Sequence, residues 1–341
     1  MSIIRYTPGP DEWAHHFGGE PAKLEIAPGD VIQVATEDCF GGLVRSPKDL
    51  PSEAVPFSAL NPVSGPFFVT GAEVGDVLAV HFIDIVPSKT TAISSLFPHF
   101  GALSATHETA LLVDALPEKV WFYDLDVENW TATYRALNGD FTAQLPMDPM
   151  HGTVGVAPAA GESRLVMVPS THGGNLDTPE LRAGTTLYLP VNVDGALLAL
   201  GDGHARQGEG EVTGTGLECA MHTTLTVEVI KNRALSWPRL ENDDSIMSTG
   251  STRPLEDAYR ISQKDLVEWV AELLDLDIFD AYQLVSQLGT APVANVCDPN
   301  YTFVSKFPKS ILGSGRSSYE GVHARLRAIG DDHLRSRARI W

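Results

Sequence analysis

From residue 20 to about 232 the apolar positions come in short runs, many alternating with polar ones, and Gly, Pro, Asn and Asp break them at close intervals. A period of two marks a half-buried strand and such punctuation marks the turns between strands, so this stretch is expected to hold many short strands. Three segments share one design: Ala27-Pro28-Gly29-Asp30 ahead of Val31-Ile32-Gln33-Val34, Glu73-Val74-Gly75-Asp76 ahead of Val77-Leu78-Ala79-Val80, and Arg182-Ala183-Gly184-Thr185 ahead of Thr186-Leu187-Tyr188-Leu189. In each, a Gly suited to a tight turn leads into a strand, so the chain should re-enter a sheet in the same manner three times. Their spacing follows no fixed period, which argues against a solenoid or propeller.

After Thr224-Leu225-Thr226-Val227-Glu228-Val229-Ile230 the pattern changes. Residues 236–256, with two prolines and several acidic and small polar residues, read as a loop over the surface or over a site. Leu266, Val267, Val270, Leu273 and Leu274 then mark one face of a helix, with Ser262 as its cap upstream. A second helix runs from about Asp280 to Gly289, whose lack of a Cβ suits a helix stop, and Pro292-Val293-Ala294-Asn295-Val296 reads as a strand. The expected fold is mainly β, of the α+β class. Residues 1–235 would form a β-sandwich or barrel body carrying a candidate metal site, and residues 236–341 a smaller α/β lobe with two helices and a basic tail. That tail, with Arg325, Arg327, Arg335, Arg337 and Arg339, either docks on an acidic surface of this chain or of a neighbouring subunit, or frays.

Composition narrows the function classes. Of 341 residues 43% are hydrophobic and 20% charged, the balance of a globular protein. Acidic residues outnumber basic ones 44 to 24, giving a formal charge of −20 whose field repels phosphate backbones and anionic lipid, so nucleic acid is not an expected partner. No apolar run approaches the ~18 residues of a membrane span. The cysteines, Cys39, Cys219 and Cys297, are odd in number and widely spaced, which suggests neither disulfides nor a thiolate zinc cage. With no secretory pattern at the N-terminus, a cytoplasmic location is expected.

The densest group of potential ligands is Gly201-Asp202-Gly203-His204-Ala205-Arg206-Gln207-Gly208-Glu209-Gly210-Glu211, directly after the apolar run Gly195-Ala196-Leu197-Leu198-Ala199-Leu200. If the strand continues through both, Asp202 and His204 share a face about 6–7 Å apart and can reach one ion. Glu218, on the strand that follows, can close the set from across a hairpin, while the glycines would leave room for a small substrate. One His among carboxylates suits zinc, with Mn²⁺, Mg²⁺ or Ca²⁺ as other divalent options, and favours a water-activating site over a structural one. The plainer reading is an acidic hairpin tip with an ordinary histidine.

Other candidates are weaker. Gly173-Gly174-Asn175-Leu176-Asp177 offers Asn175 to a carbonyl oxygen and Asp177 to a metal, or both to their own backbone. Of Glu37 and Asp38, one can join a metal site and the other face solvent. His151, before Gly152-Thr153-Val154-Gly155, is expected near a pocket or at a strand edge, and His99 and His107 lie in an aromatic loop suited to a specificity wall. A Gly-x-Ser-x-Gly elbow, a Walker loop and a dinucleotide fingerprint are all missing. Cys39, before Phe40-Gly41-Gly42, is a weak nucleophile candidate, since free cysteines usually behave as inert apolar residues.

The string from Gly173-Gly174-Asn175-Leu176-Asp177 through Leu187-Tyr188-Leu189-Pro190-Val191 into Gly201-Asp202-Gly203-His204 and Gly208-Glu209-Gly210-Glu211-Val212 resembles the signature region of the acetamidase/formamidase family. Gly65-Pro66-Phe67-Phe68-Val69, Gly152-Thr153-Val154-Gly155-Val156-Ala157-Pro158 and Ala281-Tyr282-Gln283-Leu284-Val285-Ser286 extend it, so that it covers most of the chain from about residue 24 to 312, with residues 90–150 matching less clearly. The resemblance implies a β-rich fold, a homo-oligomer (dimer or higher), and hydrolysis of formamide, acetamide or a related small amide substrate to carboxylate and ammonia. It also favours the metal reading. Asp202, His204 and Glu218 then form the ligand core, completed by Asp38 or Asp177, with Glu211 passing a proton to ammonia, Asn175 orienting the substrate, and His151 as a further catalytic candidate. The chain departs from the family at Gly203, where proline is common, and at Glu209, where aspartate is. Two rivals remain: a metal-free amidase with a carboxylate or Cys39 nucleophile, and a non-enzymatic β-sandwich that binds a small ligand.

Overall fold

Within the strand Val77–Pro87 the side chains of Leu78, Val80 and Phe82 pack into one core, while Val77 and Ala79 pack into another. A strand covered on both faces needs no polar alternation, which is why this segment reads as a continuous apolar run. In the computed structural model, which describes residues 3–104, 116–313 and 315–336, this strand lies inside a nine-stranded sheet. His107, Arg337 and Arg339 lie outside the described residues. The sheet runs in the order Ile3–Tyr6, Val31–Thr36, Met221–Ile230, Val77–Pro87, Thr186–Pro190, Arg239–Glu241, Ser245–Thr252, Tyr301–Pro308, Val293–Asn295. All three Gly-led segments deliver their strands into it. Gly29, Gly75 and Gly184 sit at φ of +83°, +94° and +86°, the left-handed region that strains any residue with a Cβ.

One face of this sheet packs on a five-stranded sheet ordered Gly173–Asn175, Met150–Gly155, Leu198–His204, Val63–Val69, Leu24–Ile26. Ile32, Leu78, Leu187 and Leu225 meet Phe67, Val154, Leu198 and Leu200 in a shared core, each side chain withdrawn fully from water at a gain of roughly 1.5–3 kcal/mol. The body is therefore a β-sandwich. A four-stranded sheet over Thr91–Leu96, Lys119–Asp126, Thr131–Arg135 and Thr142–Pro146 joins at one end.

Helices cover the other face. Apart from the single turn α1 (Pro51–Ala54), they are α2 (Leu255–Leu274), α3 (Ile278–Leu288) and α4 (Val322–Ser336). Leu266, Val270, Val285 and Leu326 pack here against Val77, Ala79, Tyr188, Ile246 and Phe307. Ser262 is no cap: α2 already begins at Leu255, and the Ser262 hydroxyl donates to the Tyr259 carbonyl and meets Ser305 in the interior. Gly289 does follow α3, but at an ordinary φ of −66°, and its missing Cβ matters because one would stand 2.6 Å from the Val285 carbonyl oxygen.

Residues 236–256 are a hairpin, not a loop. Arg239–Glu241 pairs with Ser245–Thr252 around a turn in which Asn242 Oδ1 accepts from the amides of Asp244 and Ser245. Its small polar side chains are buried with partners: Thr249 donates to the Pro238 carbonyl and Ser251 meets Thr302. Polar composition here reflects satisfied burial. Because Leu187 pairs with Leu240 and Thr249 with Val304, the main sheet runs unbroken across residues 235 and 236. The C-terminal segment also gains a third helix, α4, where Arg325 pairs with Glu228 and Arg327 with Asp243, so these two arginines dock on the chain's own acidic surface, while Arg335 pairs with Asp331 of the same helix. Among the described residues no helix is long and apolar enough to cross a membrane.

Candidate active site

The strand Leu198–His204 does continue through both residues picked out by its period of two, and their side chains converge. His204 Nε2 lies 3.4 Å from Asp202 Oδ1 and 3.2 Å from Glu218 Oε1. Glu218 arrives at a junction of sheets: its backbone exchanges hydrogen bonds with Ile93 of the four-stranded sheet and bridges His204 of the five-stranded one. Close backbone approach makes this possible. A Cβ at Gly152 would stand 2.2 Å from Asp177 Oδ1 and 2.4 Å from Asp202 Oδ2, so these two oxygens come together over one face of the strand Met150–Gly155, in the space a side chain would fill. Gly201 and Gly203 serve packing rather than substrate room, since a Cβ at either would strike the Pro62 carbonyl at 2.5 Å or Met221 Cγ at 2.2 Å. Glu209, the other departure from the family pattern, is exposed.

The proton on His204 can be assigned from its neighbour. Gln207 Nε2 donates to the carbonyls of Asp177 at 2.6 Å and Ala294 at 3.1 Å, which leaves Gln207 Oε1 facing His204 Nδ1 at 2.9 Å. An amide oxygen only accepts, so Nδ1 carries hydrogen, and in the neutral ring the Nε2 lone pair points at two carboxylates. Such an arrangement requires a positive charge, either a proton on Nε2 or a cation between the three groups. His204 Nε2, Glu218 Oε2 and Asp177 Oδ1 are all buried without a hydrogen-bond partner. Buried polar atoms seldom stay so, which fits a cation position.

Five carboxylates gather here, those of Asp177, Asp202, Glu211, Glu218 and Asp298, each no more than 6% exposed. All but Asp177 line one cavity, and among the described residues no lysine or arginine lines it. Burial, then the Asp202 charge, pushes Asp177 up to about 7. Burial likewise raises Glu218 to about 7, with Asp202 adding to it and His204 opposing. Glu211 and Asp298 are pushed well above the carboxylate range by burial and then by Asp177. Asp202 goes the other way: burial raises it, but the adjoining His204 draws it below its ordinary value. Burial should depress His204, yet the charges of Glu218 and Asp202 hold it well above the usual imidazole range. Two sets of ligand-type atoms each lie within 4.8 Å of one another: Cys39, Asp202 and Glu218, and Asp177, His204 and Glu211. Imidazole, carboxylate and one thiol are donors that zinc accepts.

The remaining candidates divide. Asn175 lines the cavity, but its amide group donates to Asp177 and, at 3.0 Å, to Asp298, while its oxygen accepts from Thr153 and Asn61, so it holds the acids in place. Asp38 is in neither ligand set. Its Oδ1 accepts from the amides of Phe40 and Gly42, with Lys89 3.8 Å from Oδ2, and Glu37 pairs with the same lysine at the surface. His151 is a core residue, with Nδ1 2.8 Å from the Gly201 carbonyl and Nε2 2.6 Å from Thr223 Oγ1. Burial depresses its pKa to about 4 and keeps it neutral. Phe97 and Phe100 form an aromatic wall as their loop suggested, whereas His99 does not line it.

Sequence reasoning missed Asp298, Gln207, Asn61 and the ligand position of Cys39. No residue-type signal marked them. In the structure Asn61 shares with Asp177, Asp202 and Glu211 a left-handed φ, at 51°, 45°, 54° and 45°, a conformation costing a non-glycine residue roughly 1–2 kcal/mol.

The cavity above these groups holds about 40 Å³ and is walled by Phe40, Leu60, Phe97, Phe100 and Met167. A water needs roughly 10–15 Å³ on this measure, so the space suits a ligand of about three or four heavy atoms.

The chain is similar to known proteins over most of its length. The profile described as the Acetamidase/Formamidase family matches residues 15–164 and 158–311. The crystal structure of an acetamidase from Yersinia enterocolitica superposes with a TM-score of 0.86 at 40% identity, covering 92% of this chain and 94% of that one. An acetamidase from Bacillus halodurans gives 0.80 at 30% identity, over 90% of this chain and 98% of the other. A formamidase from Methylophilus methylotrophus is 25% identical over 80% of this chain and 81% of its own length.

Proposed function

Because the chain belongs to the acetamidase/formamidase family and is an amidase, we propose that it hydrolyses short neutral amides, of formamide or acetamide size, with a divalent cation held by Asp202, His204 and Glu218. The observation that carries this is the His204 Nε2 lone pair set between two buried carboxylates with no cationic side chain in the cavity. When bound, such a cation supplies Lewis acidity to an amide carbonyl and acidifies water near neutral pH.

The chain's own groups do the rest. The amide nitrogen is a poor leaving group and needs a proton as it departs. Glu211 lines the cavity, and burial and then Asp177 raise it well above the usual carboxylate range, which suits it to pass a proton to the nitrogen. The Cys297 thiol lies 3.2 Å from Glu211 Oε2 and helps to orient it. Phe40, Leu60, Phe97, Phe100 and Met167 exclude bulk water and accept an acyl group no longer than the space allows. With no lysine or arginine to pair with it, an anionic substrate would meet uncompensated carboxylates, which selects neutral amides.

A cysteine nucleophile is disfavoured on the same geometry. With no cation beside it, burial, followed by the charges of Glu218 and Asp202, pushes the Cys39 thiol well above its ordinary value, which disfavours a metal-free thiolate nucleophile. Ammonia release from formamide, acetamide and propionamide should vanish after dialysis against a chelator and return on adding zinc. Full turnover by protein shown to be metal-free would end the proposal.

A further inference from the structure

The two ligand sets do not overlap in residues, yet they adjoin. His204 of one set lies 3.2 Å from Glu218 and 3.4 Å from Asp202 of the other. The oxygens of Asp202 have different neighbours: Oδ1 lies 3.4 Å from His204 Nε2, and Oδ2 sits with Asp177 Oδ1 over Gly152. A carboxylate so placed is disposed to bridge. Each set also contributes a buried atom with no hydrogen-bond partner, Glu218 Oε2 in one and Asp177 Oδ1 and His204 Nε2 in the other.

We infer that the site takes two divalent cations, one beside Cys39, Asp202 and Glu218 and one beside Asp177, His204 and Glu211, with the Asp202 carboxylate shared between them. This rests on the metal-dependent reading above and extends it to a binuclear centre. The donor count supports the number: the two sets bring six ligand-type side chains together, more than the four that a single tetrahedral zinc takes. The remaining acid, Asp298, belongs to neither set and is held by the Asn175 amide. Two-ion centres are common among hydrolases because they clamp both the attacking and the leaving atoms.

Elemental analysis of the intact protein, reconstituted with zinc and freed of loose metal, should give two equivalents per chain. The same protein loaded with Mn²⁺ should show an electron paramagnetic resonance spectrum of exchange-coupled ions. Glu211→Gln should retain one equivalent and lose the coupling. With Co²⁺, Cys39→Ser should lose a sulfur-to-cobalt charge-transfer absorption that the unmodified protein displays. One equivalent, or two without coupling, overturns the binuclear centre and leaves the single-cation reading standing; no retained metal sinks both. The unmodified protein decides between these outcomes even if a variant fails to fold.

Discussion

Acids are buried on both faces of the main sheet, and they are handled in opposite ways. Under the helices each carboxylate has its own cation: Arg239 grips Asp265 with Nε at 2.7 Å and Nη2 at 2.8 Å, and Lys309 meets Glu241 at 2.7 Å beside the Tyr188 hydroxyl. Across the sandwich, five buried carboxylates gather at a cavity that four of them line, with no lysine or arginine among its described lining residues. The first arrangement is complete as the chain folds. The second gathers acids with no lysine or arginine partner among the described lining residues, which is what supports the cation proposed for it. Buried histidines repeat the contrast, with His204 held by acids at its Nε2 and His172 wholly enclosed with neither ring nitrogen bonded.

The largest effect should come from the unbalanced side. His204→Ala removes the one imidazole of the ligand group, and turnover should fall by about 10³-fold or more together with bound metal, because Lewis-acid stabilisation is worth several kcal/mol. Circular dichroism should show the fold retained. Metal content and ammonia release measured on one preparation test this, and the comparison fails if activity survives while metal is gone.

On the balanced side the same kind of deletion should cost stability instead. Asp265→Ala strands the Arg239 guanidinium, which is left only with the Trp269 ring 4.5 Å away and the Tyr319 hydroxyl at 3.1 Å. Breaking a buried pair in this way typically costs about 3–5 kcal/mol. Urea unfolding should show that loss with turnover per folded molecule unchanged; a change below about 1 kcal/mol would mean the pair contributes no more than a surface one.

The histidines sharpen the contrast through pH. Burial, aided by the Arg164 charge, depresses His172 from 6.5 to about 3, so it is neutral when folded while the unfolded chain takes up a proton below about 6.5. Its contribution to stability is thus fully present above pH 6.5 and is lost as the pH falls towards 3. By pH 5 the loss is roughly 2 kcal/mol. His172→Leu, which breaks no hydrogen bond of the ring, should flatten the decline of the urea midpoint between pH 6.5 and 5. Parallel profiles for the two proteins would show that the ring is not held neutral.

What the sequence revealed follows the same division. Period-two alternation carried the strand through Asp202 and His204, and the Gly-led turns announced three strands of one sheet, because these are local consequences of backbone geometry. Asp298 gave no local sign: it stands on a loop far along the chain and reaches the cluster only because the sheets bring Asn175 to it. Helix α4 was hidden by composition, since Val322, Leu326 and Ile329 keep helical spacing among arginines that bond to Glu228 and Asp243. The polar strand Ser245–Thr252 was misread for a related reason. Its serines and threonines satisfy one another inside the fold, and a pattern of residue types does not show which polar groups have found partners.

The smallest effect is the most specific to the unbalanced cluster. Asp298→Asn removes one of the five carboxylates while preserving shape. Burial and the charges of Asp177 and Glu211 already disfavour ionisation of Asp298, so its loss relieves repulsion instead of breaking a pair. Metal-free protein should therefore gain about 1 kcal/mol in urea unfolding at pH 8, the opposite sign to Asp265→Ala. The Asn175 amide would then face an amide in place of the acid it now binds at 3.0 Å, an exchange that leaves a hydrogen-bond acceptor present and keeps the change small. A destabilisation comparable to that of Asp265→Ala would mean that Asp298 is already balanced within the fold, and that the two faces of the sheet differ less than their charges imply.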